Sequence, residues 1–280
     1  MNRLAVKKTY KLYIGGKFPR TESGRVDMLR MPEGELIANL SRASRKDFRT
    51  AVEAGRSALK GWKGASGYLR GQILYRIAEI LEGRSAQFVT ELELGGMSVS
   101  EAKKDVAGAV DLLVYYAGWS DKFQAVFSSV NPVASAHFNF SQPDPMGLVG
   151  VLAPSGVGLR GLISAIAPVL VGGNVLVVLA GEGSPHCAIS FAEVLATSDV
   201  PGGVVNILTG RRDELALEFA KHRDLNALLA FGNGDLAEFE QEAAENMKRF
   251  TVVNDEVLKG DPKAILDFQE TKTTWHPVGF

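Results

Sequence analysis

Few residues in this chain could do chemistry. Cys187 is the only thiol, and a thiol becomes a nucleophile only when a helix N-terminus, a cation or a base lowers its pKa. His186 adjoins it and Pro185 opens the same predicted helix, but neighbours on a helix point ~100° apart. Adjacency therefore does not aim the imidazole at the sulfur, and Cys187 reads as a buried structural cysteine. His137, His186, His222 and His276 are scattered without an i,i+4 pair, which argues against a histidine metal site. GxxxxGK[ST] and GxSxG are absent, removing the P-loop and the nucleophile elbow. A GxGxxG dinucleotide fingerprint is not expected either. Two turns remain that could receive a phosphate at a helix N-terminus, Thr209-Gly-Arg-Arg212 and Gly232-Asn-Gly-Asp235. Glu93-Leu-Gly-Gly96 falls at a predicted helix end, where paired glycines act as a C-cap.

The elements that must position these residues follow from hydrophobic periodicity. Residues 10–18 alternate around Gly15-Gly16 and read as a hairpin. From 45 to 122 the period is 3.6, giving three or four amphipathic helices. Residues 133–141 alternate and precede Gln142-Pro-Asp-Pro145, an exposed hairpin or arm. Apolar strands at 147–152, 175–179, 203–208 and 227–231 then alternate with helices at 162–170, 186–198, 214–221 and 237–246. That pattern marks a parallel sheet covered on both faces, so 147–253 reads as an open, Rossmann-like α/β unit. The uncharged stretch 161–181 matches a bilayer span in length. Pro168 and Gly172-Gly173-Asn174 divide it into a buried helix, a turn and a buried strand. After a predicted helix at 263–268, residues 271–276 form a β-prone segment with no helix to bring it into the sheet. Such an edge or exchange strand leaves backbone groups unpaired until another chain completes it.

Composition narrows the function classes. At 280 residues the chain holds at most about two domains. Lys+Arg 31 against Asp+Glu 32 leaves no positive excess for phosphates or anionic lipid, which excludes nucleic acid and membrane as expected partners. A lone cysteine points to a reducing, cytoplasmic compartment. The first residues lack the apolar run of a secretory signal.

Several segments, in order and spacing, resemble the aldehyde dehydrogenase superfamily. They are Leu12-Tyr-Ile-Gly-Gly-Lys-Phe18, Tyr115-Tyr-Ala-Gly-Trp-Ser-Asp-Lys122, Pro145-Met-Gly-Leu-Val-Gly150, Gly173-Asn-Val-Leu-Val-Val178 and Val200-Pro-Gly-Gly-Val-Val-Asn-Ile-Leu-Thr-Gly210. The likeness resumes at Phe268-Gln-Glu-Thr-Lys-Thr-Thr-Trp275, which is similar to the family's C-terminal oligomerisation strand. The whole pattern resembles the truncated, cysteine-lacking second module of family-16 aldehyde dehydrogenases. It implies a Rossmann-like cofactor-type domain over 1–253 with N-terminal helices and a β oligomerisation arm at 130–146. A linker and oligomerisation strand over 254–280 would follow, with the catalytic domain absent.

Residue by residue, the resemblance also implies what has changed. The family's Pro-Trp-Asn-Phe stands here as Pro154-Ser155-Gly156-Val157, putting Gly156 at the oxyanion-donor position. Leu179 replaces the lysine that binds the adenosine ribose, while Glu182 is retained. Ala230-Phe231-Gly232-Asn233 replaces the Phe-Thr-Gly-Ser turn under the pyrophosphate, and Val253 stands at the general base. The remnant of a cofactor site is then Pro154, Ser155, Glu182, Gly210, Gly232 and Asn233. The expectation is a chain without catalytic residues and without a resident metal. No cofactor is required and any NAD(P) binding is weak. It would assemble with a full-length aldehyde dehydrogenase or with itself through 133–141 and 271–276. The alternative is an NAD(P)-dependent oxidoreductase whose active-site residues come from a partner chain.

Overall fold

In the computed structural model, which describes residues 7–31, 34–156, 158–232, 236–254 and 259–279, the chain opens with a small sheet. Its strands β1 (Thr9–Tyr10), β2 (Val26–Arg30) and β3 (Leu36–Ser41) lie in the order β1-β3-β2. The two-glycine turn forms: Gly15 and Gly16 hold φ of 63° and 78°, and Ile14 and Lys17 exchange backbone hydrogen bonds across it. The hairpin is shorter than the alternation suggests. Tyr13 exchanges backbone bonds with Ile207 (2.9 and 2.8 Å), and Tyr10 pairs with Leu40.

Four amphipathic helices follow, α1 (Arg45–Gly64), α2 (Gly67–Gly83), α3 (Ser85–Leu94) and α4 (Val99–Trp119), with a short α5 (Phe123–Phe127) behind them. Capping boxes set two of their starts, Ser44 with Asp47 and Ser98 with Glu101. Gly95 and Gly96 end α3 as a C-cap, with Gly96 at φ 100°. A hairpin of β4 (Ser129–Asn131) and β5 (His137–Pro145) then leads into the main sheet.

That sheet alternates β6 (Leu148–Leu152), α6 (Gly158–Val171), β7 (Val175–Leu179), α7 (Pro185–Ala196), β8 (Val205–Leu208), α8 (Arg212–Lys221), β9 (Ala227–Phe231), α9 (Ala237–Ala244) and β10 (Arg249–Val253). All five strands are parallel, in the order β10-β9-β6-β7-β8. Two expectations change here. The fifth strand, β10, escapes periodicity because it is half-exposed at the sheet edge. Helix α6 starts one turn before the expected 162, at Gly158; as expected it contains Pro168, which sits in the last turn and forfeits one backbone bond without ending the helix. The buried Arg70 guanidinium closes that end, donating to Val171 O (3.0 Å) and Ala65 O (2.6 Å). The uncharged stretch 161–181 is α6 and β7 inside the core, and among the described residues no helix is long and apolar enough to cross a membrane.

The tail corrects a third expectation. After α10 (Lys263–Leu266), β11 (Gln269–Pro277) pairs antiparallel with β5 of its own chain along its whole length, from Gln269↔Pro145 to Pro277↔His137. Strand 271–276 thus has a sheet to join without a second chain. Two anchors put it in register: Asn174 Nδ2 donates to Phe268 O (3.0 Å), and Gln269 Nε2 to Gly172 O (3.1 Å). In the order β11-β5-β4, β11 keeps its other edge outward.

Candidate functional site

From β6 the sheet grows one way to β7 and β8, then returns on the other side to β9 and β10. The strand order therefore reverses between β6 and β9, and the crevice beyond their carboxyl ends is where open α/β sheets take ligands. The loops that line it carry the predicted site residues. Pro154 and Ser155 follow β6, Glu182 follows β7, Gly210 follows β8 and Gly232 follows β9. Asn233 and Val157 lie outside the described residues.

One sequence signal at this crevice runs against the expectation of no dinucleotide fingerprint. Gly156-Val-Gly-Leu-Arg-Gly161 has the GxGxxG spacing, leaves β6 and opens α6. Glu182 stands about twenty residues on, at the end of the next strand, where such motifs place a ribose-binding acid. The expectation of none is therefore corrected. The structure also shows what fills the turn. Asp105 Oδ1, reaching across from α4, accepts from Leu159 N (2.8 Å) and Arg160 N (3.0 Å). These helix-end amides are the groups a pyrophosphate would use, and the chain supplies its own anion to them. Burial raises the Asp105 carboxyl pKa, while the two amide bonds draw it back down.

A second group occupies the switch point itself. The Arg212 guanidinium lies across it, Nη1 donating to Ala153 O (3.4 Å) beyond β6 and Nη2 to Phe231 O at the end of β9. Its backbone N–H faces Glu182 Oε1 at 3.5 Å. Gly232, with φ 140°, passes close beneath, so that a Cβ there would lie 3.5 Å from the guanidinium. On the neighbouring side the two loops touch. A Cβ at Gly181 would collide with the Pro154 carbonyl, and one at Gly183 with that of Ser155. Glycine at both positions lets the loops close, and the space left between Ser155, Gly181, Glu182 and Arg212 is too small for a water molecule.

The other half of the crevice is open. A cavity of about 380 Å³ runs between the β7 and β8 loops, lined by Leu40, Glu182, Pro185, Gly210 and Arg211, with Met28 of β2 as its outer wall. That wall is held by charge, Asp27 pairing with Arg42 (3.8 Å) and Arg211 (3.5 Å). The structure thus brings Glu182 and Gly210 together in the open half, and places Pro154 and Ser155 in the closed one. Leu179 is buried at the end of β7. Val253 takes part through its backbone, accepting from Gly232 N at 3.0 Å. Tested against a dinucleotide, the residues fit in one half only. The β7–β8 side has room and an acid, whereas Asp105, Arg212 and the Pro154 loop fill the phosphate positions.

Sequence reasoning missed Asp105 and saw Arg212 only as part of a turn. The spacing at 156–161 is the signal that could have found the first; no local pattern announces the second. Cys187 is 1% exposed, and burial, followed by the charge of Glu91, pushes its thiol pKa far up. It is not an activated nucleophile.

Residues 18–253 match the model of the aldehyde dehydrogenase family. Retinal dehydrogenase 2 of Gallus gallus is 31% identical over 257 residues, covering 89% of this chain and 49% of that protein. Mitochondrial 10-formyltetrahydrofolate dehydrogenase of Homo sapiens is 27% identical, covering 90% and 28%. Among solved structures, PnpE from Pseudomonas sp. WBC-3 superimposes with a TM-score of 0.83 at 25% identity, over 87% of this chain and 50% of that one. The NAD+ complex of a Bacillus cereus aldehyde dehydrogenase shares the fold, with a TM-score of 0.83 at 23% identity. The chain spans about half the length of retinal dehydrogenase 2 and of PnpE. With its five-stranded parallel sheet and matched span, the chain belongs to the aldehyde dehydrogenase family.

Proposed function

We propose that this chain is a non-catalytic aldehyde-dehydrogenase-like subunit that assembles with a full-length aldehyde dehydrogenase or with a second copy of itself. The observation that carries this reading is a contrast in occupancy. The chain's own Asp105 and Arg212 fill the phosphate half of the crevice, while the arm sheet turns an open β11 edge and an apolar face outward. Val130, Phe138 and Phe140 share that face by register, and Phe138 is 47% exposed. Open edges of this kind are completed by other chains. Two experiments test the proposal. Mass by light scattering should fall to that of a single chain when Phe138→Asp and Val130→Lys are combined. Tagged chain recovered from its own cell extract should bring down a longer aldehyde dehydrogenase whenever it does not self-associate. A single-chain mass for the unmodified protein, with no dehydrogenase recovered, overturns the assembly. Turnover of short aldehydes with NAD or NADP by the purified chain would overturn its non-catalytic character.

A second reading is supported by the fingerprint at 156–161 and the open cavity at Glu182. In it the chain binds NAD(P), and a partner chain supplies the reacting groups. The NAD+ complex of the Bacillus cereus aldehyde dehydrogenase and the nicotinamide adenine dinucleotide complex of PnpE make that chemistry reasonable. Asp105→Ala frees the two α6 amides, so this reading expects NAD affinity to rise by about tenfold or more in calorimetry. No gain over the unmodified chain sinks it.

A further inference from the structure

Beneath the crevice loops, where α3 crosses the first turn of α7, three side chains meet that no step above uses. Glu91, His186 and Cys187 are 7%, 1% and 1% exposed, and their ligand atoms lie within 4.8 Å of one another. We propose that they form a zinc site.

The first argument is charge. Glu91 Oε1 accepts from Gln87 Nε2 (2.9 Å) and Ser190 Oγ (2.8 Å), but Oε2 is buried with no hydrogen-bond partner. Among the described residues no cation pairs with Glu91, and the nearby Lys8 and Arg84 are both engaged by Glu193. A buried carboxylate without a counter-charge is destabilising by several kcal/mol. A divalent ion held by this carboxylate and one thiolate makes a cluster of zero net charge.

The second argument is the histidine. His186 Nε2 lies 2.8 Å from the Glu91 carbonyl, which can only accept, so Nε2 carries the hydrogen. Nδ1 is left with its lone pair, buried and unpartnered. A ring N–H donated to a backbone carbonyl is also the outer contact that zinc-bound histidines usually make.

The third argument is room. A cavity of about 20 Å³ adjoins Cys187 between Pro154, Gly181 and Ser184, enough for one water beside the sulfur. Sulfur, imidazole nitrogen and carboxylate oxygen together are a zinc donor set. Bonds of about 2.0–2.3 Å put tetrahedral ligand atoms roughly 3.5 Å apart, so the three side chains close by about an ångström on binding. On binding, the Cys187 thiol gives its proton to solvent and its sulfur bonds the metal, while Glu91 binds as carboxylate and His186 as neutral imidazole. The ion then pins α3 to α7 directly below the closed loops. The histidine spacing gave no hint of this, because the third ligand arrives from a helix about a hundred residues away in sequence.

The test uses the full chain, stripped with a chelator and titrated with Zn2+ alone. Expected are about one zinc retained through gel filtration, about one proton released per zinc and a rise in Tm. Cys187→Ser should cut retention to below about a tenth of an equivalent. Glu91→Gln keeps an acceptor for Gln87 and Ser190, so it should fold with a Tm at least equal to that of the stripped chain while losing the zinc-dependent rise. Less than about a tenth of an equivalent on the unmodified chain overturns the site, and so does equal retention by Cys187→Ser.

Discussion

The two sheets reached by the C-terminal half of the chain use β-prone residues in opposite ways. Every residue of β6, β7, β8 and β9 is buried, whereas β11 buries only Gln269. The difference lies in the covering layers. Helices of the βαβ crossovers lie over the parallel strands, so unbroken runs such as Val175–Leu179 are stable there. The arm has the short α5 and α10 packed against it and leaves Trp275 57% exposed. The lesson is that burial on both faces makes a strand intolerant of change, while a strand covered on one edge keeps a surface to spare.

Truncating the core should give the largest effect. Phe231→Ala removes a fully buried ring at the end of β9, and a loss of about 3–5 kcal/mol in urea unfolding is expected. A loss below ~1 kcal/mol would break the contrast between the sheets.

An intermediate effect comes from a buried ammonium at the sheet's rim. Lys248 precedes β10 and donates to Phe219 O (3.4 Å) and Ala220 O, and burial lowers its pKa from 10.5 to about 8. Below pH 8 the folded and unfolded chains both carry the charge, and its burial weakens the fold in full. Between pH 8 and 10.5 the folded chain has released a proton that the unfolded chain still holds, so stability rises with pH. After allowance for solvent screening the gain is about 2 kcal/mol. Denaturant midpoints from pH 7 to 10 check it, and in Lys248→Met the rise should disappear.

The smallest effect is expected on the arm. Phe138→Ser should change the unfolding free energy of the separated chain by less than ~1 kcal/mol, because half of the ring already faces solvent. A larger loss at low protein concentration would mean that the arm is as tightly covered as the core.

Much of this fold is legible in order along the chain. The capping serines Ser44 and Ser98, the Gly15-Gly16 turn and the apolar runs of β6, β7 and β9 are each specified by residues within a few positions of one another. Strand β10 and the first turn of α6 were less legible, because an edge strand is only half-buried and Gly158 and Gly161 read as a turn rather than a helix start. At the candidate site, Glu182 and Gly210 lie on loops that line one open cavity, while Pro154 and Ser155 lie in the part that is shut.

What the sequence by itself determined is the alternation of strand and helix, the family and the loops on which a ligand site would sit. Periodicity and capping act over a turn or two of chain, so a linear reading reaches them. Only the tertiary structure decided what those loops hold. It set Asp105 on the α6 amides, Arg212 across the switch point, Glu91 against His186 and Cys187, and β11 beside β5. Each of these contacts joins residues far apart in sequence. Which pair forms depends on packing the whole core around them, and no local pattern of residue types encodes that choice.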